Sequence, residues 1–147
     1  METNATSTSR KTVMISGYFN GFHDAHLDYL KQASEYGGYL ICVVASDKQV
    51  IMKKGKVSIT GEQRWEIVDL ILKGLDYHHI TIRNWCDTET PTITKFLECY
   101  KPDILFRGYD KTLETMPVSE REVCEKYGIE IIHAKNRIGE RHSSEIM

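Results

Sequence analysis

The stretch "TVMISGYFNGFHDAHLDYL", residues 12–30, contains the sequence features that decide the fold. It begins with a β-branched and apolar run that ends in glycine, which is typical of a strand buried on both faces. Leu27 and Leu30 near its end, with Ala33 just beyond, recur at helical spacing. The stretch therefore predicts a strand, a short loop and a helix in direct succession.

The same alternation continues along the chain. Apolar runs rich in β-branched residues predict further strands over residues 39–46, 78–84, 103–108 and 129–134. A capping box and well-placed prolines and glycines predict further helices over residues 61–72, 90–102 and 117–128. Strands that alternate with helices predict an α/β fold, here a Rossmann-like domain whose parallel five-stranded sheet is flanked by helices on both faces.

Length, composition and charge limit what the chain can be. A chain of 147 residues is the size of one ordinary domain, and we assign residues 12–147 to it and residues 1–11 to a disordered polar tail. The formal charge of -2 gives no basic excess for nucleic-acid binding, and no apolar run reaches the roughly 20 residues that span a membrane. The four cysteines show no C-x-x-C spacing, so we expect reduced thiols in a cytoplasmic protein.

The loops that follow three of the predicted strands carry most of the chemically interesting residues. Residues 47–59, which include Lys53, Lys54 and Lys56, are predicted to form a loop, and Arg107 to Asp110 follow a later strand. Because ligands of parallel sheets bind at the carboxyl ends of the strands, these loops should converge on one crevice. A lysine cluster alone is more often a solvated surface, so its position after a strand is what favours a functional role.

His23 and His26 lie where the first strand leads into the first helix. Backbone N–H groups and the partial positive charge at a helix N-terminus favour a phosphate there, and both imidazoles can donate hydrogen bonds to it. Two other interpretations stay open for this pair alone. The histidines could simply cap the helix, or they could be half of a zinc site.

Four segments resemble motifs of the cytidylyltransferase-like nucleotidyltransferases. Residues 17–26, "GYFNGFHDAH", resemble the G-x-F-D-x-x-H-x-G-H motif of that family, and residues 61–71, "GEQRWEIVDLI", resemble its E-x-R helix. Residues 101–110, "KPDILFRGYD", are similar to its K-P-D segment, and residues 137–146, "RIGERHSSEI", resemble its late R-x-x-G-x-S-[ST]-[ST]-x-I motif. The resemblance covers residues 12–147.

The resemblance implies a reaction that joins a nucleoside triphosphate to a phosphorylated small molecule and releases pyrophosphate. It implies catalytic roles for His23, His26, Lys54 and Arg137. It implies nucleotide-binding roles for Gly17, Tyr18, Phe19, Lys56, Arg64, Gly108, Asp110, Ser143 and Ser144. Mg²⁺ is expected to accompany the triphosphate, with no protein residue named as its ligand, and the protein is expected to be a homodimer.

The sequence also leads to expectations about the substrates, and it departs from the family pattern at two positions. Arg137 before the serine pair favours transfer of CMP from CTP to a phosphorylated alcohol or sugar such as glycerol-3-phosphate, while residues 88–104 look closer to the adenylyltransferases that use ATP and heptose-1-phosphate. Asn20 and Ala25 stand where the family has aspartate and glycine, so a nucleotide-binding protein with impaired catalysis is a further alternative. Arg64 could instead pair with Glu62 or Asp69 on its own helix.

Overall fold

The computed structural model describes residues 11–57, 59–86 and 90–136, and these ranges contain five strands and five helices. One helix separates each pair of successive strands, except that two helices lie between the second strand and the third. The strands are β1 (Thr12–Gly17), β2 (Tyr39–Val44), β3 (His79–Arg83), β4 (Ile104–Arg107) and β5 (Glu130–His133). The helices are α1 (Asp24–Ser34), α2 (Asp47–Lys54), α3 (Gly61–Gly74), α4 (Thr94–Tyr100) and α5 (Val118–Tyr127). The polar tail predicted for residues 1–11 lies, except for Lys11, outside the described residues.

The strands form one parallel sheet in the order β3-β2-β1-β4-β5, with every neighbouring pair parallel. This confirms the predicted five-stranded α/β fold. Because β2 and β3 lie on one side of β1 while β4 and β5 lie on the other, the chain reverses its direction of travel across the sheet at β1. The loops that follow β1 and β4 therefore diverge to opposite faces and leave a crevice between them, which is where such sheets bind ligands.

Alternate residues of the central strands supply two separate cores, one on each face of the sheet. Val13 and Ile15 of β1 pack with residues of α1 and α3, whereas Met14, between them, packs with residues of α4 and α5. This arrangement explains why the strands are continuous apolar runs rather than alternating ones. The prediction that helices flank both faces is confirmed.

The prediction of a loop over residues 47–59 was wrong, because residues 47–54 form α2. Ser46 and Gln49 cap its first turn reciprocally, and Gly55 ends it in the left-handed conformation at φ 88°. These are ordinary helix start and stop signals. The helix escapes a periodicity search because it buries only Gln49 and Val50, so it has almost no apolar stripe.

None of the helices within the three described ranges combines the length and the apolar character that crossing a bilayer requires.

Replacement of Leu72 by alanine tests the core beneath α3. Leu72 is fully buried, so we expect Leu72→Ala to lower the free energy of unfolding by about 2 to 5 kcal/mol through lost contacts and a residual cavity. Leu70, on the same helix, is 59% exposed, and Leu70→Ala should change stability by less than about 0.5 kcal/mol. Urea denaturation measures both values, and equal losses would contradict the packing described.

Candidate functional site

The two histidines of the β1–α1 loop cap α1 reciprocally. His23 is the N-cap residue, and its Nδ1 accepts a hydrogen bond from the N–H of Ala25 at 3.2 Å. His26 occupies the third helical position, and its Nδ1 accepts a hydrogen bond from the N–H of His23 at 3.1 Å. The imidazoles thus play the parts that serine and glutamate play in a common capping box.

This capping selects the tautomer of both rings. An imidazole whose Nδ1 accepts a hydrogen bond carries its proton on Nε2 when it is neutral, which makes Nε2 a donor. Across the described part of the chain, no residue forms a hydrogen bond with Nε2 of either ring, and the ring centroids lie only 4.1 Å apart. The pair therefore caps the helix with one set of nitrogens and presents two N–H donors with the other.

The electrostatic surroundings keep His26 neutral. Burial, followed by the positive charges of His23 and Lys54, lowers the pKa of His26 from its ordinary value of 6.5 to about 4. A neutral imidazole next to a helix N-terminus can donate a hydrogen bond to an anion. The negative charge of a bound anion would oppose the effect of the two neighbouring positive charges on this pKa. The same result shows that Lys54 lies close enough to His26 for its charge to matter.

The ring of Phe19 packs against the histidine pair. Its side chain is 3% exposed and its ring lies 5.5 Å from that of His26 and 6.1 Å from that of Phe22, centroid to centroid. The backbone of Phe19 is left-handed, at φ 49°, and a Cβ atom on Gly17 would meet the Phe19 ring at 2.8 Å. Phe19 is thus placed to position the histidines, and glycine at position 17 makes room for its ring.

Arg64 connects three loops around the site. Its side chain is fully buried, its Nη1 donates to the carbonyls of Tyr18 and Ala45 at 2.9 and 2.8 Å, and its Nε donates to the carbonyl of Ile59 at 2.9 Å. Its Nη2 donates to Oδ1 of Asp47 at 2.7 Å. The predicted pairing with Glu62 or Asp69 was therefore wrong, because the partner is the first residue of α2. These bonds indicate that Arg64 positions the loops; it does not line the cavity described below.

The two positions that depart from the family pattern are held within this framework. Oδ1 of Asn20 accepts a hydrogen bond from the N–H of Ile59 at 3.4 Å, which ties the β1–α1 loop to the segment before α3. Ala25 occupies the second position of α1, where its N–H is taken by His23. Both residues therefore contribute to the shape of the β1–α1 loop.

A cavity of about 370 Å³ opens at the carboxyl ends of β1, β2 and β4. This confirms that the loops after those three strands converge. Of the predicted site residues, Gly17, Tyr18 and Gly108 line it. Four charged side chains also line it, namely Lys53, Arg107, Lys111 and Glu120.

The predicted lysines separate because the segment is helical. Lys53 lines the cavity, whereas its neighbour Lys54 influences His26, since adjacent residues of a helix point about 100° apart. Lys56 is exposed beyond the end of α2 and does not line the cavity. Asp110 is also exposed, with Oδ1 3.0 Å from the position of a Cβ atom on Gly108, so the glycine permits this close approach. Arg137, Ser143 and Ser144 lie outside the described residues.

Residues 91–93 form a wall of the cavity that no sequence motif indicated, and buried side chains hold this wall in place. Nε2 of Gln49 donates to the carbonyls of Thr90 and Thr92 at 2.8 and 3.1 Å, and Nδ2 of Asn84 donates to the carbonyl of Thr92 at 3.1 Å. Glu120 accepts from the N–H of Ile93. The capping box of Ser46 and Gln49 was visible in the sequence, but the contacts of these side chains with the wall depend on tertiary structure.

Arg107 forms the opposite rim. Its Nη1 donates to the carbonyl of Thr112 at 2.7 Å and lies 3.2 Å from Nε2 of His133. Burial, followed by the charge of Arg107, lowers the pKa of His133. The neutral imidazole can then accept from the guanidinium, so Arg107 links the loop after β4 to the end of β5.

Metal binding by the histidine pair was an alternative at the outset. Among residues 11–57, 59–86 and 90–136, no group of three or more histidine, cysteine or acidic side chains is placed to hold a metal ion. A zinc site needs three or four such ligands. Within those ranges the pair lacks the partners that a zinc site would need.

Comparison with known proteins places this site in a family context. The family model described as cytidylyltransferase-like matches residues 14–146. The bifunctional protein HldE of Hahella chejuensis is 34% identical over 128 residues, which are 86% of this chain and 25% of that protein. The FAD synthase of Ferroglobus placidus is 32% identical over 119 residues, 81% of this chain and 71% of that protein.

A solved structure agrees with these matches. The lipopolysaccharide core biosynthesis protein of Thermoplasma volcanium is 26% identical, with a TM-score of 0.64 over 85% of this chain and 96% of that one. The chain spans about a quarter of the HldE proteins and most of the FAD synthase. The similarity therefore concerns one domain that occurs alone and as part of longer proteins.

Replacement of Arg64 by lysine tests its structural role. Lysine keeps the charge but cannot reach three loops at once, so we expect Arg64→Lys to lower the free energy of unfolding by about 1.5 to 3 kcal/mol. Arg83→Lys, at an exposed position of β3, should change it by less than about 0.5 kcal/mol. Urea denaturation measures the free energy of unfolding of both variants. An Arg64→Lys protein as stable as the unaltered protein would contradict the structural role of Arg64.

The lowered pKa of His26 predicts a specific acid sensitivity. Unfolded chains bind the proton near pH 6.5, whereas the folded protein resists it until about pH 4, so stability conferred by neutral His26 is present above pH 6.5 and is lost as the pH falls toward 4. We expect a loss of about 2 to 3 kcal/mol over this range. His26→Asn keeps an acceptor for the cap and should lack this contribution. Denaturation of both proteins from pH 7 to 4 measures the difference, and parallel curves would refute the assignment.

Proposed function

The chain belongs to the cytidylyltransferase-like family of nucleotidyltransferases, and from that premise we propose that it transfers a nucleotidyl group from a nucleoside triphosphate to a phosphorylated small molecule, with release of pyrophosphate. The observation that carries the proposal is the histidine pair at the first turn of α1. Two imidazoles beside a helix N-terminus, with His26 neutral and both Nδ1 atoms taken by the cap so that Nε2 can donate, suit a polyphosphate.

The chemistry requires alignment and stabilisation of charge rather than a base. An acceptor phosphate is already an anion, so it can attack the α-phosphorus without losing a proton. The bond to the pyrophosphate group breaks as the new bond forms, and negative charge moves onto the bridging oxygen. Donors fixed before the reaction stabilise that charge without reorganisation, and His23 and His26 are held in this way by their own capping bonds.

Several other residues are proposed to act together with this pair. Lys54, whose charge influences His26, would approach the same phosphates, and Lys56 follows on the exposed segment after α2. The roles of Arg137, Ser143 and Ser144 stay predictions. The role of Asp110 in nucleotide binding and the formation of a homodimer also stay predictions. Mg²⁺ fits a site of this donor set, because the triphosphate oxygens themselves would hold it and it would neutralise part of their charge.

ATP is the donor that the relatives favour. FAD is flavin mononucleotide joined to AMP, so the name FAD synthase points to adenylyl transfer, and that relative matches over most of its length. The late motif with Arg137 favours the second candidate, CTP with glycerol-3-phosphate. We place adenylyl transfer to a phosphorylated sugar or polyol first and cytidylyl transfer second.

A nucleotide-binding protein without turnover is the remaining alternative, favoured by Asn20 and Ala25. Asn20 keeps the loop in place through Ile59 but lacks the charge of the family's aspartate. This alternative predicts that nucleotide binds and that pyrophosphate is not released with any acceptor.

A pyrophosphate-release screen separates these possibilities. ATP, CTP, GTP and UTP are each combined with glycerol-3-phosphate, phosphoethanolamine, flavin mononucleotide and heptose- and hexose-1-phosphates, in the presence of Mg²⁺. Release with one pairing of nucleotide and acceptor identifies both substrates. Nucleotide binding measured by calorimetry, without release in any pairing, would overturn the proposed transfer.

His26→Asn tests the role of the Nε2 donor apart from the cap. The asparagine oxygen can replace Nδ1 as the acceptor of the His23 N–H, but the side chain has no group at the position of Nε2. We expect kcat/KM to fall by about 100- to 1,000-fold, the usual cost of one preorganised donor. His78→Asn, at an exposed position before β3, should leave the rate unchanged. An active His26→Asn protein would remove His26 from the mechanism.

A further inference from the structure

Among the described residues that line the cavity at the strand ends, one acid is buried. Glu120 lies in the first turn of α5, its side chain is among those that line the cavity, and the residue is only 7% exposed. Its Oε2 accepts a hydrogen bond from the N–H of Ile93 at 3.0 Å. Removal of a carboxylate from water is costly, and polar partners such as the Ile93 N–H offset that cost.

The position of this carboxylate is determined before any ligand arrives. Gln49 and Asn84, both buried, bind the carbonyls of residues 90 and 92 and so hold the wall that carries the Ile93 N–H. Tyr18 lines the same cavity, and burial, followed by the negative charge of Glu120, raises the pKa of its hydroxyl. A protonated hydroxyl and a carboxylate therefore share the interior of the cavity.

The charges around Glu120 indicate the kind of ligand. Lys53, Arg107 and Lys111 also line the cavity, so the charged lining that the described residues supply is formally +2 when the carboxylate is included. A phosphate monoester carries close to two negative charges at neutral pH and matches that value. The described residues supply three cations and one carboxylate to the lining, so an ammonium group, as in phosphoethanolamine, would meet net repulsion in this cavity. A hydroxyl group carries no such penalty and donates well to a carboxylate.

We propose that Glu120 determines acceptor specificity, its carboxylate accepting hydrogen bonds from the hydroxyl groups of a phosphorylated polyol or sugar whose phosphate lies among the cationic side chains of the cavity. This inference rests on the proposed function for the role of the ligand as acceptor. It adds a residue that no motif indicated and a reason for hydroxylated over amino-alcohol acceptors. The volume of about 370 Å³ is in the range of small-molecule sites.

Paired probes test the proposal by binding, independently of turnover. Glycerol-3-phosphate and n-propyl phosphate differ only in hydroxyl groups, and phosphoethanolamine adds an ammonium group. Titrations of the protein, followed by NMR through the amide of Ile93, give a Kd for each probe. We expect glycerol-3-phosphate to bind about 10- to 100-fold more tightly than n-propyl phosphate, as hydrogen bonds to a charged group imply.

Glu120→Gln keeps an acceptor for the Ile93 N–H and removes the charge. Because loss of the negative charge favours both phosphates alike, it should reduce the preference for glycerol-3-phosphate over n-propyl phosphate about 10-fold, while Glu122→Gln, exposed on the same helix, should leave that preference unchanged. Retained discrimination in Glu120→Gln, preference for phosphoethanolamine, or no binding of glycerol-3-phosphate by the unaltered protein would overturn the inference.

The pyrophosphate-release screen keeps the two proposals apart. Discrimination that depends on Glu120, without pyrophosphate release in any pairing, would support the polyol-phosphate site and refute the transfer reaction. Pyrophosphate release that is indifferent to Glu120→Gln would support the transfer reaction and refute the role of Glu120.

Discussion

The buried guanidinium of Arg64 is the interaction on which the shape of the site depends. A fully buried cation is tolerated only when protein acceptors replace its water, and here those acceptors come from the loop after β1, the end of β2, the first turn of α2 and the segment before α3. The loops must converge for the charge to be satisfied. The requirements of one side chain thereby bring together segments that contribute separately to the crevice.

The histidine pair shows how a structural and a chemical role can share one side chain. Each imidazole has two nitrogens, and the capping box uses Nδ1 of both. The cap fixes ring orientation and tautomer, and these in turn decide that Nε2 is a donor. Helix capping and phosphate binding, which compete as interpretations of the sequence, are therefore compatible in the structure. Phe19 completes the arrangement by filling the space beneath the rings.

The cavity combines the ends of strands with segments from separate parts of the chain. Gly17 at the end of β1 and Gly108 just after β4 both line it. The charged lining comes from α2, the loop after β4 and the first turn of α5. Those segments lie on either side of the point where the sheet reverses direction.

The sequence by itself determined the strand and helix alternation, the parallel sheet and the position of the histidine pair at the start of α1, because periodicity and capping are local properties. It did not reveal α2, which lacks an apolar stripe, or the partners of Arg64, which lie up to 46 residues away. Only the tertiary structure separated Lys53 from Lys54 and placed Glu120 in the cavity. The placement of these side chains depends on which faces of distant helices meet at the strand ends. The residues next to them in the sequence do not specify that contact.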